Sequence, residues 1–448
     1  MTREIKKKSL SRTINYEKFK KRRLVLKKNL QQITAGKPFT AILHSGLEVS
    51  RNGDVFYPFR CDSNFYYLTG FNESNAWMMM HSDGKRQYEE IIISKTKDKT
   101  KELWDGDIIG QEKAKKKYLF DKAYSIEVVD QTVISKLELS QCIFFPISDR
   151  NFSRTVSDWL SKLTRKKRMG IDNPDHLGDL SRILENQRVV KDLYELKIMK
   201  KAASISAAAH IEAMKVSKPG LKEFDIETEL LRVFRNNGAY DVAYPCIVAG
   251  GPNACVLHHK AGSRLLQKND LVLIDAGCEL QGYASDITRT FPVSGKFTEA
   301  QKLIYEIVLQ AQKDAIQKIK VGKKYATPHD AAVRSITKNL IDAGLIKNKS
   351  VDEAIEKRDY QRFYMHKTGH WLGLDVHDVG SYDTTFKENM VLTVEPGIYI
   401  RPSKDIPREF WNIGIRIEDD VVVKEEGCEL ISRGVPVELN EVEKLASL

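Results

Sequence analysis

Residues 38 to about 145 alternate short apolar runs with charged stretches. The apolar runs have the length and composition of buried strands, and they read FTAILHSG, AWMMMHSD, YEEIIIS and QCIFFPI. The stretches between them are compatible with helices. Because alternating strands and helices are typical of α/β proteins, we predict an α/β domain in the amino-terminal part of the chain.

The second part of the chain contains amphipathic stretches whose ends are easier to place. DIETELLRVFRNNG is predicted to end on Gly238, TEAQKLIYEIVLQAQKDAIQKIKVG to run from Thr298 to Gly322, and PHDAAVRSITKNLIDAG to end on Gly344. Long strand pairs lie between and after these helices, which favours an α+β domain. We therefore predict two domains, residues 1–187 and 188–448.

The composition is that of a globular protein. A chain of 448 residues with 42% hydrophobic content can build two or three substantial cores. No apolar stretch at the start is typical of a signal peptide, and no later window approaches eighteen uninterrupted apolar residues, so we expect a cytoplasmic protein with no membrane partner. The scattered cysteines lack a C-x-x-C spacing and are expected to be reduced and buried: Cys61, Cys142, Cys246, Cys255, Cys278 and Cys428.

The positive charge of the chain is concentrated at its start. The formal net charge is +11, and the first 30 residues contain twelve Lys or Arg against two Glu. The segment KFKKRR could contact the phosphates of nucleic acid or anionic lipid. No stacking platform or recognition motif accompanies it, so a solvated amphipathic helix, with Tyr16, Phe19 and Leu26 packed and the lysines in water, is favoured. A nucleic-acid partner is therefore not expected.

Two aspartates interrupt the apolar segment LVLIDAGCELQGYASDITRTF. If ELQG (279–282) turns the chain, Asp275 and Asp286 lie directly opposite each other on antiparallel strands. The Cβ atoms of opposed residues are roughly 4.5–5.5 Å apart, and two carboxylates at that distance repel each other. The flanking LVLI and ITRTF have the composition of buried strands, where paired like charges need a cation. The pattern predicts a metal site.

A second strand pair repeats this arrangement downstream. VLTVEPGIYIRPSKDIPREFWNIGIRIEDD carries Glu395 on the same strand face as Tyr399, and Glu418 on the same face as Arg416. Between the two strand pairs, FYMHKTGHWLGLDVHDVG contributes His366, His370 and His377. A lone histidine in such a setting is more often a satisfied core residue than a ligand. Three histidines near four carboxylates favour metal chemistry.

The ordered set of motifs resembles a known family. IDAG with Asp275, SDITRTF with Asp286, GHWLGLDVHD with His370, VEPG with Glu395 and RIEDD with Glu418 are similar to the five-ligand signature of the dinuclear pita-bread metallopeptidases of family M24. Within that family the resemblance is closest to the aminopeptidase P group. RNGDVFYPFRCDSNFYYLTGFNE (51–73) and ELWDGDIIG (102–110) also resemble its amino-terminal domain. The resemblance implies a catalytic domain with a curved antiparallel sheet.

This resemblance implies a specific division of metal ligands. Asp286 and Glu418 would bridge two divalent ions, Asp275 would hold one ion, and His370 with Glu395 would hold the other. The oxygen-rich ligand set suits Mn²⁺ and could accept cobalt, iron or zinc. The implied reaction is attack by a hydroxide that bridges both ions, with Glu395 carrying the proton to the leaving nitrogen.

Further residues are carried over from the same resemblance. His258, in AGGPNACVLHHK, and His377 would contact the reacting carbonyl, whereas His259 falls on the opposite strand face and is expected to be structural. The pocket for proline would contain three other residues, His366, Tyr399 and Arg416. A neighbouring subunit would complete its wall with Trp104, near Asp54, which implies a homo-oligomer, a dimer or a tetramer.

The implied function is that of an exopeptidase that removes the first residue from peptides with proline in second position. A prolidase, which cuts Xaa-Pro dipeptides, shares the five ligands and is the main alternative. A methionine aminopeptidase is less favoured because such chains usually lack the large first domain. A non-catalytic binding module or a creatinase-like enzyme that works without metal is disfavoured by the complete ligand set.

Overall fold

The computed structural model describes residues 15–85 and 87–447. These residues divide into two compact units between Gln187 and Arg188. The first 14 residues of the basic segment lie outside the described part of the chain.

The amino-terminal unit is built on a six-stranded mixed sheet with helices between its strands. Its strands are β1 Phe39–His44, β2 Ser50–Asn52, β3 Val55–Phe56, β4 Trp77–Ser82, β5 Tyr88–Ser94, β6 Lys122–Ser125, β7 Cys142–Phe145 and β8 His176–Asp179. Its helices are α1 Glu17–Ile33, α2 Ser63–Thr69, α3 Lys99–Asp105, α4 Gly110–Tyr118, α5 Val129–Leu137, α6 Arg150–Thr164 and α7 Leu180–Arg188.

The order of strands in this sheet is β6-β5-β4-β1-β7-β8. The pairs β5–β6, β1–β7 and β7–β8 are parallel, and the pairs that β4 makes with β1 and β5 are antiparallel. All four apolar runs singled out in the sequence form strands of this sheet. Their side chains enclose a core with the helices, so the predicted α/β character of this unit is confirmed.

The basic helix α1 differs in one respect from the predicted solvated helix. Phe19 and Leu26 are buried as predicted, but so are Arg22 and Arg23 of KFKKRR. The Arg23 guanidinium donates to the Glu90 carboxylate at 2.5 Å and to main-chain carbonyls of the same unit. Part of the basic run therefore pairs internally, because a buried guanidinium requires a carboxylate and further acceptors.

The second unit contains helices packed against short antiparallel strands. Its helices are α8 Leu193–Val216, α9 Glu223–Asn236, α10 Glu299–Ile316, α11 Thr327–Asp342, α12 Val351–Glu356 and α13 Leu439–Ala446. Its strands are β9 Asp241–Val242, β10 Ile247–Gly250, β11 Leu271–Asp275, β12 Cys278–Leu280, β13 Tyr283–Ala284, β14 Thr288–Pro292, β15 Val391–Val394, β16 Gly397–Ile400, β17 Ile413–Arg416, β18 Asp419–Lys424 and β19 Gly427–Leu430. The pairings among the described strands of this unit are antiparallel.

The predicted helix ends are correct in two cases and wrong in one. α9 and α11 end within two residues of Gly238 and Gly344, both of which have positive φ. α10 begins after Thr298, whose side chain accepts from the Gln301 amide in a capping box, but it ends at Ile316 rather than at Gly322.

The predicted register of the first aspartate hairpin is wrong by two residues. Gln281 and Gly282 form a two-residue turn with φ values of 51° and 83°, which is the pattern of a type I′ hairpin turn. Leu280 therefore pairs with Tyr283, and Asp275 pairs with Thr288 instead of Asp286. A shift of two residues keeps every side chain on its original face, so both aspartates still point to the same side of the sheet.

The cysteines and the hydrophobicity of the helices bear on two expectations from composition. All six cysteines are free thiols; five are buried, and Cys428 is half-buried, which corrects the expectation for that residue. No helix in the described ranges combines the length and apolar character that a membrane crossing requires.

Candidate metal centre and active site

The first two carboxylates of the site are held by the β11–β14 ladder. Asp275 is the last residue of β11, and Asp286 lies just before β14 on the same face. The Asp286 amide donates to the Asp420 carboxylate at 3.1 Å, which fixes the backbone outside the ladder. Both aspartate side chains are thus presented at the end of a buried strand.

The second two carboxylates lie opposite each other at a gap between two ladders. β15 pairs with β18 and β16 pairs with β17 in one continuous register, which places Glu395 opposite Glu418 in the two-residue gap. The main-chain amides of both glutamates form hydrogen bonds outside these two ladders. The Glu395 amide donates to the Thr368 carbonyl at 2.8 Å, and the Glu418 amide donates to the Thr288 carbonyl at 3.1 Å. The opening gives both glutamate side chains room on one face.

His370 completes the cluster. Its Nδ1 lies 3.0 Å from the Trp371 carbonyl, so Nδ1 carries the hydrogen and Nε2 presents its lone pair to the carboxylates. Nε2 is 3.4 Å from Asp286 Oδ2 and 3.8 Å from Glu395 Oε1. One potential ligand atom from each of Asp286, His370 and Glu418 lies within 4.8 Å of the others.

The electrostatics of the cluster require cations. Burial, followed by the negative charges of Asp275 and Asp420, raises the pKa of Asp286 well above its ordinary value. Burial and the charges of Asp286 and Glu395 do the same for the pKa of Glu418, and burial raises the pKa of Glu395 to about 6. Carboxyl groups that repel one another in a buried site become good ligands when divalent ions neutralise them. The residues present therefore fit a site for divalent metal ions.

Arg416 and Tyr244 bind the carboxylates from the protein side. Arg416 Nη2 donates to Asp275 Oδ2 at 2.6 Å, and its Nε donates to Thr288 Oγ1 at 3.1 Å. The Tyr244 hydroxyl contacts carboxylate oxygens of both Asp275 and Asp286. Sequence reasoning missed Tyr244, whose only signal is its position in AYPC just before β10, the strand that pairs with β11.

A buried ion pair supports the backbone that carries Glu418. The Arg289 guanidinium donates to Asp419 Oδ1 at 2.8 Å and to the Glu418 carbonyl at 2.5 Å, and both charged side chains are fully buried. Ser432 donates a further hydrogen bond to Asp419 at 2.6 Å. The strand segment after Glu418 is therefore fixed from behind by groups that do not reach the site.

Three histidines outside the predicted ligand set, His258, His366 and His377, line the cavity. The His377 ring lies 4.4 Å from the His370 ring, and burial, followed by the neighbouring His370 and His258 rings, lowers the pKa of His377. Burial and the charge of Arg416 lower the pKa of His366 to about 4. His258 is exposed and faces the cavity. Neutral imidazoles can donate a hydrogen bond through one nitrogen and accept through the other.

Tyr399 connects His366 to Arg416. Its hydroxyl lies 2.9 Å from His366 Nε2 and accepts from Arg416 Nη1 at 2.8 Å. Tyr399 is 1% exposed and does not itself line the cavity, whereas the other two residues do. Its hydroxyl thus orients two side chains that face the cavity.

A cavity of about 980 Å³ opens over these groups. Its wall includes all five predicted metal ligands and His258, His366, His377 and Arg416. Apolar side chains such as Leu257, Val376 and Leu392 form other parts of the wall. Cavities of this size bind small ligands and peptide ends. The two remaining predicted site residues, Asp54 and Trp104, are exposed residues of the amino-terminal unit, and Trp104 is 83% exposed.

Glu223 fixes the loop that carries His258. Its carboxylate accepts from the main-chain amides of Gly250 and Gly262 at 2.8 and 3.0 Å, and it contacts His259 Nε2 at 2.8 Å. The side chain is fully buried. Burial raises the pKa of Glu223, but the hydrogen bonds from Gly250, Asn253 and His259 outweigh burial and leave the pKa below its ordinary value. Glu223 gave no signal in the sequence.

Replacement of Asp286 by Asn is expected to stabilise the metal-free protein at neutral pH. The pKa of Asp286 is raised in the folded state, so folding is favoured when this carboxyl is protonated. This contribution to stability is complete below the ordinary pKa of 3.8 and is lost as the pH rises through the raised pKa of the folded state. Asp286→Asn should gain about 1 kcal/mol or more, since each unit of raised pKa costs about 1.4 kcal/mol when the group is ionised. Urea unfolding in EDTA from pH 5 to pH 8 measures the difference.

The same variant should no longer be stabilised by divalent ions. Manganese is expected to raise the unfolding midpoint of the wild-type protein and of the control Asp342→Asn, whose exposed carboxylate lies outside the cavity, but not that of Asp286→Asn. An undiminished manganese effect in Asp286→Asn would contradict the site.

Replacement of Glu223 by Ala is expected to destabilise the protein by about 2 kcal/mol or more, because it leaves buried main-chain amides without acceptors. Hydrogen exchange in residues 250–262 should accelerate. Glu229→Ala, on the same helix, removes only a pair with Arg232 at the surface and should cost about 0.5 kcal/mol or less. Equal stability of the two variants would show that Glu223 does not fix the loop.

Two family models cover most of the chain. Residues 197–425 match the model of metallopeptidase family M24, and residues 19–144 match that of the aminopeptidase P N-terminal domain. A Xaa-Pro aminopeptidase from Haemophilus influenzae is 40% identical over 433 residues, which are 96% of this chain and 97% of the relative. A Xaa-Pro aminopeptidase from Escherichia coli is 36% identical over 437 residues, with 96% and 98% coverage.

Solved structures show the same fold over nearly the whole chain. An aminopeptidase from Pseudomonas aeruginosa superposes with a TM-score of 0.93 at 40% identity, covering 97% of this chain and 98% of that one. Aminopeptidase P from Escherichia coli with the inhibitor Pro-Leu gives the same TM-score at 35% identity, with the same coverage. These similarities confirm the predicted fold class, an α/β amino-terminal domain followed by a pita-bread catalytic domain. The chain belongs to metallopeptidase family M24.

Proposed function

We propose that this protein is a metal-dependent Xaa-Pro aminopeptidase, which removes the first residue from peptides with proline in second position. The observation that carries the proposal is the convergence of Asp275, Asp286, His370, Glu395 and Glu418 on one cavity wall. The relatives named for this activity align over 96% of the chain, including the amino-terminal domain.

The proposal assigns the five side chains as ligands of two divalent ions. Asp275, Asp286, His370, Glu395 and Glu418 would hold the ions, and the close approach of Asp286, His370 and Glu418, with one potential ligand atom of each within 4.8 Å of the others, supports a shared site. We propose manganese as the metal because four of the five donors are carboxylates, which suit hard cations. When bound, the ions lower the pKa of water and polarise the substrate carbonyl.

The remaining groups bind the substrate and move the proton. Glu395, which lies on the same cavity wall, would accept a proton from the attacking water and deliver it to the proline nitrogen. His258 and His377 are proposed to donate hydrogen bonds to the carbonyl oxygen as it becomes negative.

Proline selectivity is proposed to arise on the wall formed by His366 and Arg416, which the Tyr399 hydroxyl orients. An Xaa-Pro bond lacks an amide hydrogen and carries a rigid ring, so enzymes that bind through that N–H do not hold it. A wall that forms no hydrogen bond to the amide of the second residue can bind proline without losing an interaction.

A prolidase remains the alternative, since it would use the same ligands on dipeptides. The match of residues 19–144 to the aminopeptidase P N-terminal domain favours the longer substrate. A non-catalytic binding module is disfavoured because the complete ligand set is present.

We also propose a homo-oligomer, a dimer or a tetramer, in which Trp104 near Asp54 completes the proline wall of a neighbour. The exposure of the Trp104 indole supports this role.

The cytoplasmic location is part of the same proposal. Six free thiols support it, because such thiols are typical of reducing compartments.

Loss of either proposed oxyanion donor should separate catalysis from metal binding. His258→Ala and His377→Ala are each expected to lower kcat by on the order of 10²-fold or more, the range for an oxyanion or proton-transfer partner. Metal content, measured by atomic emission, should stay at two ions per chain in both variants. Loss of metal along with activity would make these histidines ligands and not substrate contacts.

The manganese-loaded protein is expected to cleave Xaa-Pro-Yaa tripeptides and longer peptides at the first bond at least as well as Xaa-Pro dipeptides. Mass spectrometry of the products, over peptides of two to five residues, measures this directly. Trp104→Ala should weaken the cleavage of long peptides without changing metal content, whereas Leu103→Ala, another exposed apolar residue of the same helix, serves as the control. Cleavage of dipeptides alone would identify a prolidase.

A further inference from the structure

Two lysines line the cavity, and the mechanism above uses neither. Lys260 stands two residues after His258, and Lys367 directly follows His366. Both side chains belong to exposed residues. Among the described residues, neither ammonium group has an ion-pair partner within 4.0 Å. Each is therefore a free positive charge beside a residue that faces the substrate.

The rest of the cavity wall does not neutralise them. Its acidic residues are Asp275, Asp286, Glu395 and Glu418, all committed to the metal site. Its other cation, Arg416, already pairs with Asp275 at 2.6 Å. Once two divalent ions balance the four carboxylates, the wall formed by the described residues carries the excess positive charge of Arg416, Lys260 and Lys367, and of these only the lysines lack an ion-pair partner.

The position of the lysines determines which part of a substrate they meet. Consecutive Cα atoms are 3.8 Å apart, and each residue of an extended peptide spans about 3.3–3.6 Å. Lys367 directly follows His366, a residue of the proposed proline wall, and both residues line the cavity, which places the lysine beside the part of the cavity that would receive the residues after proline. Its charge already extends to His329 on the same cavity wall, where it helps burial to lower the pKa of that imidazole.

We propose that Lys260 and Lys367 make this enzyme prefer peptides with a carboxylate on one of the first two residues after proline. The carboxylate can be an acidic side chain or the carboxyl terminus of a short peptide, since both present the same anion. Peptides with Lys or Arg at these positions are disfavoured by repulsion. This specificity rests on the proposed Xaa-Pro aminopeptidase activity and adds to it a preference that depends on the charge of the leaving peptide.

The expected effect is moderate because both ammonium groups are in contact with water. An exposed ion pair changes an equilibrium constant by about two- to five-fold. We therefore expect each lysine to raise kcat/KM for an acidic peptide by about that factor. The preference should fall with salt, since the Debye length shortens from about 30 Å at 0.01 M to about 3 Å at 1 M.

The test compares amidated peptides that differ in one charge. The manganese-loaded full-length protein is assayed on the amides of Ala-Pro-Glu-Ala, Ala-Pro-Gln-Ala and Ala-Pro-Lys-Ala, in 20 mM and 500 mM NaCl. The free acid of Ala-Pro-Gln against its amide tests the terminal carboxylate separately. The measured quantity is the ratio of kcat/KM between members of a pair, which cancels changes that affect both substrates equally.

Substitution then assigns the preference to the two lysines. In wild-type protein at low salt, the Glu peptide should exceed the Gln peptide about five-fold, and the Lys peptide should be the poorest. Lys260→Gln/Lys367→Gln should bring the Glu-to-Gln ratio close to one. Lys318→Gln, which removes an exposed charge of the same unit outside the cavity, should keep the wild-type ratio. Competition by the dipeptides Pro-Glu and Pro-Gln should show the same preference in inhibition constants.

The two levels of the proposal fail in different ways. Efficient cleavage of the Gln peptide with a Glu-to-Gln ratio near one, or a ratio that survives the double substitution, overturns the specificity and leaves the aminopeptidase activity standing. No cleavage of any Xaa-Pro peptide by the metal-loaded protein overturns both.

Discussion

Repulsion among buried carboxylates is the constraint on which this structure depends. Asp275, Asp286, Glu395 and Glu418 meet in one cavity, and burial with mutual charge raises the pKa of Asp286 and Glu418 well above the ordinary range. Such a cluster destabilises the fold unless cations neutralise it. Divalent ions that bind only the folded state add to the free energy of unfolding, which offsets this repulsion. The stability of the fold is thereby coupled to the metal supply.

The scaffold around the cluster holds the carboxylates in place while they repel one another. Two of the four belong to segments fixed from behind: Asp286 by the Asp420 carboxylate, and Glu418 by the buried Arg289–Asp419 pair on its own carbonyl. Asp275 is held by its place at the end of β11 and by Arg416. These supports lie on strands, and rigid elements position ligands more precisely than loops do.

The substrate side of the cavity is built differently. His258 lies on a loop whose geometry depends on one buried carboxylate, that of Glu223, and the lysines that follow the cavity histidines have no charged partner among the described residues. Local stability is lower where the backbone relies on few buried contacts. The carboxylates of the metal site are thus held by several strands, whereas the loop on the substrate side is held mainly through Glu223.

The sequence by itself determined four strands of the amino-terminal sheet, three helices of the second unit and the common face of the two aspartates. These features follow from periodicity within short segments: a two-residue period places Asp275 and Asp286 on one side whatever the turn, and the same rule unites Glu395 with Tyr399. The sequence did not determine the register of this hairpin, because a turn at ELQG (279–282) and the observed turn at Gln281 and Gly282 both fit the same apolar pattern.

Only the tertiary structure decided which distant groups meet the cluster. Tyr244 contacts two aspartates because β10 pairs with β11, and Glu223 reaches residues 250–262 from a helix well before them in the chain. The buried arginines of α1 were likewise hidden, since a basic run that pairs internally has the same composition as one in water. Pairings across large sequence separations depend on how elements pack, and packing leaves no periodic signal in the segments that it joins.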